Sequence, residues 1–333
     1  TISAGTAFGH GGHVILGLDY LERSPLLGRD RAWARNSGED SNGYYYFDGG
    51  QIGYDSQGGG CTRTSLDGPC VNTSGPVTTL QTQLDSRSLL AHVDHPLGSL
   101  RAYADLRWNM VRQHQPIGPA TEQIGFYDPA TPQNTQVVNY AFSDVGPIRD
   151  FTQSRSTQVS IGLHGTPGDW AWDLRLDSQH NAGTDRVQGL LRSSVLDQAL
   201  ADGSYQPGGH NDAAVLAALA PALMRTGHTS QTGFSLRTDG PLTEWREGSV
   251  GLAAGIEGYR EKLDDQPDPL LISNDVFQFQ SPYVRRGDRW ISAAYVELET
   301  PLARGLAMNL AGRADHSGGF GWAFSPKLGL KWD

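Results

Sequence analysis

Apolar residues recur at every second position along most of this chain, the signature of strands with one apolar and one polar face. Ile2, Ala4, Thr6 and Phe8 form a first run, and Val14, Leu16, Leu18 and Tyr20 a second, separated by Gly9-His10-Gly11-Gly12. Leu89, Ala91 and Val93 lead through Pro96-Leu97-Gly98-Ser99 into the longest alternation. There Leu100, Ala102, Ala104, Leu106, Trp108 and Met110 oppose Arg101, Tyr103, Asp105, Arg107 and Asn109. Val159, Ile161 and Leu163 follow, then Trp170, Trp172, Leu174 and Leu176 against Asp173, Arg175 and Asp177. Thr232, Phe234 and Leu236 lead through Asp239-Gly240-Pro241 to Val250, Leu252, Ala254 and Ile256. Trp290, Ser292, Ala294, Val296 and Leu298 alternate with Tyr295, Glu297 and Glu299. Leu306, Met308 and Leu310 are opposed by Asn309, Arg313 and Asp315. Leu328, Leu330 and Trp332 are opposed by Lys327 and Lys331. The pattern predicts an all-β chain of about eleven antiparallel strands.

The connections alternate in length. Short turns are expected near 9–12, 96–99, 164–168, 239–245 and 301–305, and long ones near 24–85, 115–153, 180–229 and 263–287; a further connection near 317–320 is short. A compact water-soluble domain seldom carries four loops of that size, whereas an outer-membrane barrel pairs short periplasmic turns with long extracellular loops. Alternation by itself fits a sandwich, whose apolar face packs on a core, as well as a barrel, whose apolar face meets lipid. Loop asymmetry, strands long enough to cross a membrane, and the aromatics Tyr20, Trp108, Trp170, Trp172, Trp290 and Trp332 near expected strand ends favour the barrel. On that reading Leu100, Leu106, Trp108, Trp170, Trp172, Leu174, Leu176, Leu328, Leu330 and Trp332 face lipid. Arg101, Tyr103, Asp105, Arg107, Asp173, Arg175, Asp177, Glu297, Glu299, Arg313 and Asp315 then face a wet lumen. Within the loop at 180–229, residues 211–225, which offer an N-cap candidate and an Ala/Leu run, read as a surface helix, and Ser193–Ala201 as a further turn or two.

Composition agrees. Glycine supplies 42 of 333 residues, well above the ~7% norm, as a turn-rich β chain requires. A net charge of −10 argues against nucleic acid as a partner. No apolar run is long enough for a membrane-spanning helix, which leaves a barrel open. No signal peptide is visible, and the chain both opens and closes in strand pattern, so it is expected to be a piece excised from a longer protein. Cys61 and Cys70 are its two cysteines, in a glycine-rich stretch. Two thiols cannot complete a structural zinc site. A local disulfide, implying an oxidising compartment, is the expectation, with a pair of free thiols as the alternative.

No nucleotide-binding, metalloprotease, P-loop or nucleophile-elbow motif is present, and no cofactor is expected. His10 with His13, and His92 with His95 around Asp94, lack convergent metal-ligand spacing. Carboxylates along one strand face (Asp173 and Asp177, four apart and flanking Arg175, and Glu297 and Glu299, two apart) could serve a glycosidase, but pairing with inward arginines such as Arg175 and Arg313 is the simpler reading. Tyr44, Tyr45, Tyr46 and Phe47 form an aromatic cluster suited either to stacking on a ligand or to anchoring their own loop.

The stretch Gly287-Asp288-Arg289-Trp290-Ile291-Ser292-Ala293-Ala294-Tyr295-Val296-Glu297-Leu298 with Pro301-Leu302 resembles the barrel of TonB-dependent outer-membrane receptors. So do Leu310 to His316 and Phe324-Ser325-Pro326-Lys327-Leu328-Gly329-Leu330-Lys331-Trp332, and, more loosely, Leu18 to Arg31. The resemblance implies the middle of a barrel of ~22 strands, without the plug domain, its TonB box or the later strands. It implies a receptor in the outer membrane of a Gram-negative bacterium rather than an enzyme. Such a receptor binds a scarce nutrient (a ferric siderophore, cobalamin, haem or a glycan) and is driven by the partner TonB through the plug. A soluble β-rich carbohydrate hydrolase and a passive porin or adhesin are the competing readings.

Overall fold

The computed structural model describes residues 1–35, 39–40, 45–48, 51–54, 63–64, 70–73, 79–127, 135–142, 144–206, 210–245, 248–277 and 283–332. Its main element is one eleven-stranded antiparallel sheet in which each strand pairs with its sequence neighbour in the sheet. The strands are β1 (Ile2–Phe8), β2 (Gly12–Arg23), β3 (Gln83–Leu97), β4 (Leu100–Pro119), β5 (Pro147–Gly165) and β6 (Ala171–Gln188). They continue as β7 (Leu223–Trp245), β8 (Gly248–Gln266), β9 (Arg285–Ala303), β10 (Leu306–Ser317) and β11 (Gly321–Trp332). This is the expected eleven-strand meander.

The strands are longer than the alternation predicts. β4 runs for 20 residues and β7 for 23, about twice what a tilted crossing needs. The backbone ladder continues past the apolar stretch, so the long connections shrink to 24–82, 120–146, 189–222 and 267–284. Trp108 and Trp290 accordingly lie inside strands rather than at their ends, where their faces turn from apolar to polar. The turns on the other side stay short. The β3–β4 turn needs only Gly98 and Ser99, and Gly98 takes a φ of 66° that disfavours any residue with a side chain. Three ladder irregularities coincide with prolines, between Pro116 and Gly118, Pro241 and Thr243, and Pro301 and Ala303. A proline has no N–H to give a ladder.

Cross-strand register sorts side chains onto two faces. One row links Ala102, Leu163, Leu174, Leu236, Ile256 and Ala294; the next links Ala104, Ile161, Leu176, Phe234 and Gly258. A lower row joins Leu252, Leu298, Leu310 and Leu328. This face is apolar yet uncovered: Leu18 is 57% exposed, Ile161 48% and Ile256 47%. From Leu100 to Trp108 the strand advances about 27 Å at ~3.4 Å per residue. At a ~40° tilt that is about 21 Å of height, close to the ~25 Å apolar band of outer-membrane barrels. No helix among the described residues is long and apolar enough to cross a membrane.

The hydrophobic clusters of the described residues lie in the long loops and at the strand ends beneath them, not across the faces of the sheet. Among the described residues there are no two face-packed sheets around a dry core, which a soluble sandwich requires. The loop at 189–222 contains helix α1 (Ser193–Asp202) and helix α2 (Ala213–Leu219), and the loop at 267–284 the single turn α3 (Pro269–Ile272). The helix expected over 211–225 is therefore about halved. Asp212 caps it, its carboxylate accepting the Ala214 N–H at 3.1 Å. Pro221 excludes the helical conformation for Ala220, and from Leu223 the chain pairs with Val187 as strand. The segment expected at Ser193–Ala201 is helix α1, which reaches Asp202 and ends on Gly203 at a φ of 77°.

Candidate functional site

The polar face of the sheet carries the expected lumen residues, and register draws them into rows. Arg101 aligns with His164, Asp173, Arg237, Gly255, Tyr295 and Arg313. Tyr103 aligns with Gly162, Arg175, Ser235, Glu257, Ala293 and Asp315. Asp105, Ser160 and Asp177 share a third row, Arg107 lies one step above it, and Glu297 and Glu299 continue the face on β9. All eleven residues expected to face the lumen thus occupy one surface. The residues expected to meet lipid occupy the other, apart from Trp170, which precedes β6 and lies beside Gly240. Met110, also read as part of the apolar face, is on it by register but only 6% exposed, set between Arg87 and Arg155 where that face has already turned polar.

The polar face is an ion-pair lattice. Arg175 donates from Nε to Asp177 Oδ1 at 2.7 Å and from Nη2 to Ser160 Oγ at 3.0 Å, and Ser160 donates to the same Asp177 oxygen at 2.7 Å. Arg313 bridges Asp315, at 2.9 Å, and Glu257. Glu297 accepts from Asn309 and lies 3.9 Å from Lys327. Of the carboxylates read as possible acid–base pairs, Asp177 is engaged by Arg175, as the simpler sequence reading held, whereas Glu297 is engaged by Asn309 and Lys327 rather than by an arginine, and Arg313 pairs with Asp315 and Glu257 instead. At the short-turn end, His92 Nδ1 is 2.8 Å from Asp105, and Asp94 lies within reach of His92, His13 and Arg101. No group of three His, Cys, Asp or Glu among the described residues is arranged to hold a metal. A recess of about 520 Å³ opens on this face, lined by Tyr103, His164, Asp173, Arg175, Ser235 and Arg237. Three tyrosines lie opposite glycines across the ladder: Tyr103 on Gly162, Tyr259 on Gly233 and Tyr295 on Gly255. A Cβ at Gly162 would lie 2.5 Å from both the Tyr103 ring and the Leu174 carbonyl, so the ring packs flat only because the side chain is missing.

Above the sheet the long loops share a core that sequence patterning did not reveal. Ala120, Ile124, Tyr140 and Phe142 from the β4–β5 connection pack with Leu191, Leu196, Ala199, Tyr205 and Leu219 from the β6–β7 connection. The Phe142 and Tyr205 rings stack at 5.6 Å, and Tyr140 meets Phe142 edge-on at 4.8 Å. Asp144 fastens the two loops, accepting from Tyr205 Oη at 3.1 Å and Asn211 Nδ2 at 2.8 Å. Burial, with Tyr140 and Asp144 alongside, pushes the Tyr205 phenol well above its ordinary range.

The third loop is held by Asp275. Helix α1 has no side-chain cap of its own, because its N-cap residue is Arg192. Asp275, from the loop at 267–284, supplies the cap instead. Its Oδ1 accepts the Ser194 N–H at 2.8 Å and the Ser193 hydroxyl at 3.0 Å, while Oδ2 takes Arg192 Nε at 2.9 Å and Nη2 at 2.8 Å. The Ser194 hydroxyl completes the set at 2.8 Å. Burial alone would raise this carboxyl, but the Ser194 N–H, the Arg192 guanidinium and the two hydroxyls together hold it down to about 2.

The aromatic cluster is only partly in view. Tyr44 lies outside the described residues. Tyr45–Asp48 pairs as a hairpin with Gln51–Tyr54, which places the backbone of Tyr45, Tyr46 and Phe47 on a strand of the β2–β3 connection. Cys61 is likewise outside the described residues, and Cys70 opens a short strand, Cys70–Thr73.

No curated protein sequence matches the chain. Among solved structures it is similar to a mutant form of the ferric enterobactin receptor from Pseudomonas aeruginosa, at 12% identity and a TM-score of 0.48; the similarity covers 98% of this chain and 38% of that one. The chain thus spans well under half the length of that structure. The family described as TonB dependent receptor-like, beta-barrel matches residues 96–333, most of the chain and nine of the eleven strands in whole or part, and the chain belongs to that family.

Proposed function

We propose that this chain is the middle of the barrel of an outer-membrane receptor that takes up a scarce nutrient with energy delivered by TonB. The family is an outer-membrane family of Gram-negative bacteria whose members are transporters rather than enzymes. The observation that carries the reading is the two-faced meander, its apolar side uncovered across the width of the sheet and its polar side a paired lattice. On this reading Leu100, Leu106, Leu174, Leu176 and Leu328 meet acyl chains. Arg101, Asp105, Arg175, Asp177, Arg313 and Asp315 line the interior, and the fused loops roof its outer mouth. Tyr44 to Phe47 are candidates for stacking on the ligand from the β2–β3 loop. TonB acts through a plug contributed by another part of the receptor.

The test is uptake by whole cells. Radiolabelled ferric catechol siderophore, cobalamin, haem and an oligosaccharide are offered to isogenic strains with and without the receptor, each with and without TonB. Uptake of one probe that requires both genes supports the reading. Diffusion of small sugars through the purified receptor in liposomes, with no TonB-dependent uptake, would establish a passive porin instead.

A further inference from the structure

Where the loops meet the sheet, well above the apolar band, a pair of acids lies under an apolar seal. On the polar face, Asp150, Asp185 and Arg225 stand two residues below Ile148, Val187 and Leu223 at the upper ends of β5, β6 and β7. Those three apolar residues pack with Leu190 and with Leu271 and Val276 of the loop at 267–284. Asp150 and Asp185 are diagonal neighbours across the β5–β6 ladder, because Asp150 lies opposite Val187 and Thr152 opposite Asp185. Their side chains are hydrogen-bonded to each other. Two carboxylates offer no donor, so one of the two acids carries the proton.

No cation among the described residues is placed to substitute for that proton. Arg225, opposite Asp185, is committed to Asp265 of β8 in a bidentate pair at 2.8 and 2.6 Å, and exposed Arg285 of β9 stands opposite Asp265. On β4 the neighbours are neutral, Gln113 and Gln115. Arg149 and Arg186 fall on the opposite face by register. In the loop above, Asp268 accepts backbone N–H groups and Asp275 pairs with Arg192. The Thr152 hydroxyl donates to Asp150 at 3.2 Å, while Asp185 Oδ1 is buried and no N–H or hydroxyl reaches it. Burial, then the hydrogen bond and the charge of Asp150, push the Asp185 carboxyl up to about 6 against a weaker pull from Arg225.

We propose that the Asp150–Asp185 pair is a proton-operated latch that holds the loop roof on the sheet while one proton is shared and loosens it when that proton is lost. With both acids ionised, two like charges face each other beneath an apolar cluster. Water can hydrate them only if Ile148, Val187 and Leu223 part from Leu271 and Val276. The sign follows from the two states. Opened and hydrated, Asp185 titrates near ~3.9; closed, it titrates at about 6. The latch is therefore fully engaged below pH ~4 and is lost as the pH rises to ~6, the opposite sense to the Asp275 clamp. It goes beyond the uptake reading and does not depend on which nutrient passes beneath the roof.

Hydrogen exchange of the full-length receptor in detergent tests this, with protection expressed relative to the free-peptide rate at each pH. In the wild type, amides of 190–202 and 270–277 should lose about 10- to 100-fold of their protection between pH ~4 and ~7, two units of displaced titration giving at most ~100-fold. Amides in the middle of β4 to β8 should keep theirs. Asp185→Asn, which is neutral at every pH, should hold the acid-side protection throughout, and Asp150→Asn, which removes the like charge, should shrink the response. Loop protection that is flat over this range in the wild type, or that falls as far in Asp185→Asn as in the wild type, overturns the latch. Should Asp185→Asn not fold, a response in Asp150→Asn equal to that of the wild type overturns it.

Discussion

Replacing Asp275 should release the loop roof without disturbing the sheet. The carboxylate receives five hydrogen bonds, two from Arg192, two from Ser194 and one from Ser193, and its side chain is only 16% exposed. In Asp275→Ala the Arg192 guanidinium loses its counter-ion and α1 loses its cap. A cap is worth about 1 kcal/mol and a hydrogen bond to a charged group about 1.5–3 kcal/mol. With partial rehydration of Arg192, a net cost of about 2–4 kcal/mol to opening of the loop unit is expected. At 1.4 kcal/mol per tenfold, hydrogen exchange of the amides of 194–202 should accelerate about 30-fold to several hundred-fold, while amides in the middle of β4 to β8 keep their protection. Asp275→Asn, which keeps one acceptor for the Ser194 N–H, should fall between. The acid behaviour has a definite sign. The folded carboxyl titrates at about 2 and the unfolded one near ~3.9. Its contribution is therefore fully present above pH ~4 and is lost as the pH falls from there toward 2. Pepsin cleavage within 189–222 should rise over that window in the wild type and be nearly flat in Asp275→Asn. Unchanged exchange of 194–202 in Asp275→Ala, or wild-type cleavage that ignores pH between 4 and 2, would refute the cap-and-clamp account.

Other outcomes follow from the two faces. Leu106→Arg should cost about 2–4 kcal/mol of barrel stability because it puts a charge into the lipid band. Arg107→Gln on the wet face should cost far less, and equal heat-modifiability of the two variants on gels would oppose the orientation proposed here. Gly162→Ala should destabilise by about 1–3 kcal/mol through overpacking, since its Cβ meets the Leu174 carbonyl as well as the movable Tyr103 ring; a denaturation midpoint equal to wild type would contradict that packing. Cys61 and Cys70 should give a single intramolecular bridge by mass spectrometry without reductant, and two alkylatable thiols in exported protein would show otherwise.

What the amino-acid sequence determines here is local. The alternation at Leu100 to Met110 or Asp173 to Leu176 fixes which side chains share a face, because a strand repeats every two residues whatever lies beside it. Turn residues such as Gly98 and the uneven spacing of the runs determine the eleven-strand meander and its short and long ends. The family motifs at 287–298 and 324–332 are contiguous, so they too are legible without coordinates. Tertiary structure decided how far each ladder runs beyond its apolar stretch, since backbone hydrogen bonds carry no side-chain signature: β7 keeps pairing through Thr226 to Gln231, where no periodicity marks it. It also decided that Pro221 divides a helix from a strand. It alone revealed the loop core and its clamp. Phe142, Tyr205 and Leu219 follow no common period, and Asp275 caps a helix whose Arg192 lies 83 residues earlier. Contacts of that range depend on where the barrel brings the loop bases together, and a pattern read along the chain contains no information about that distance.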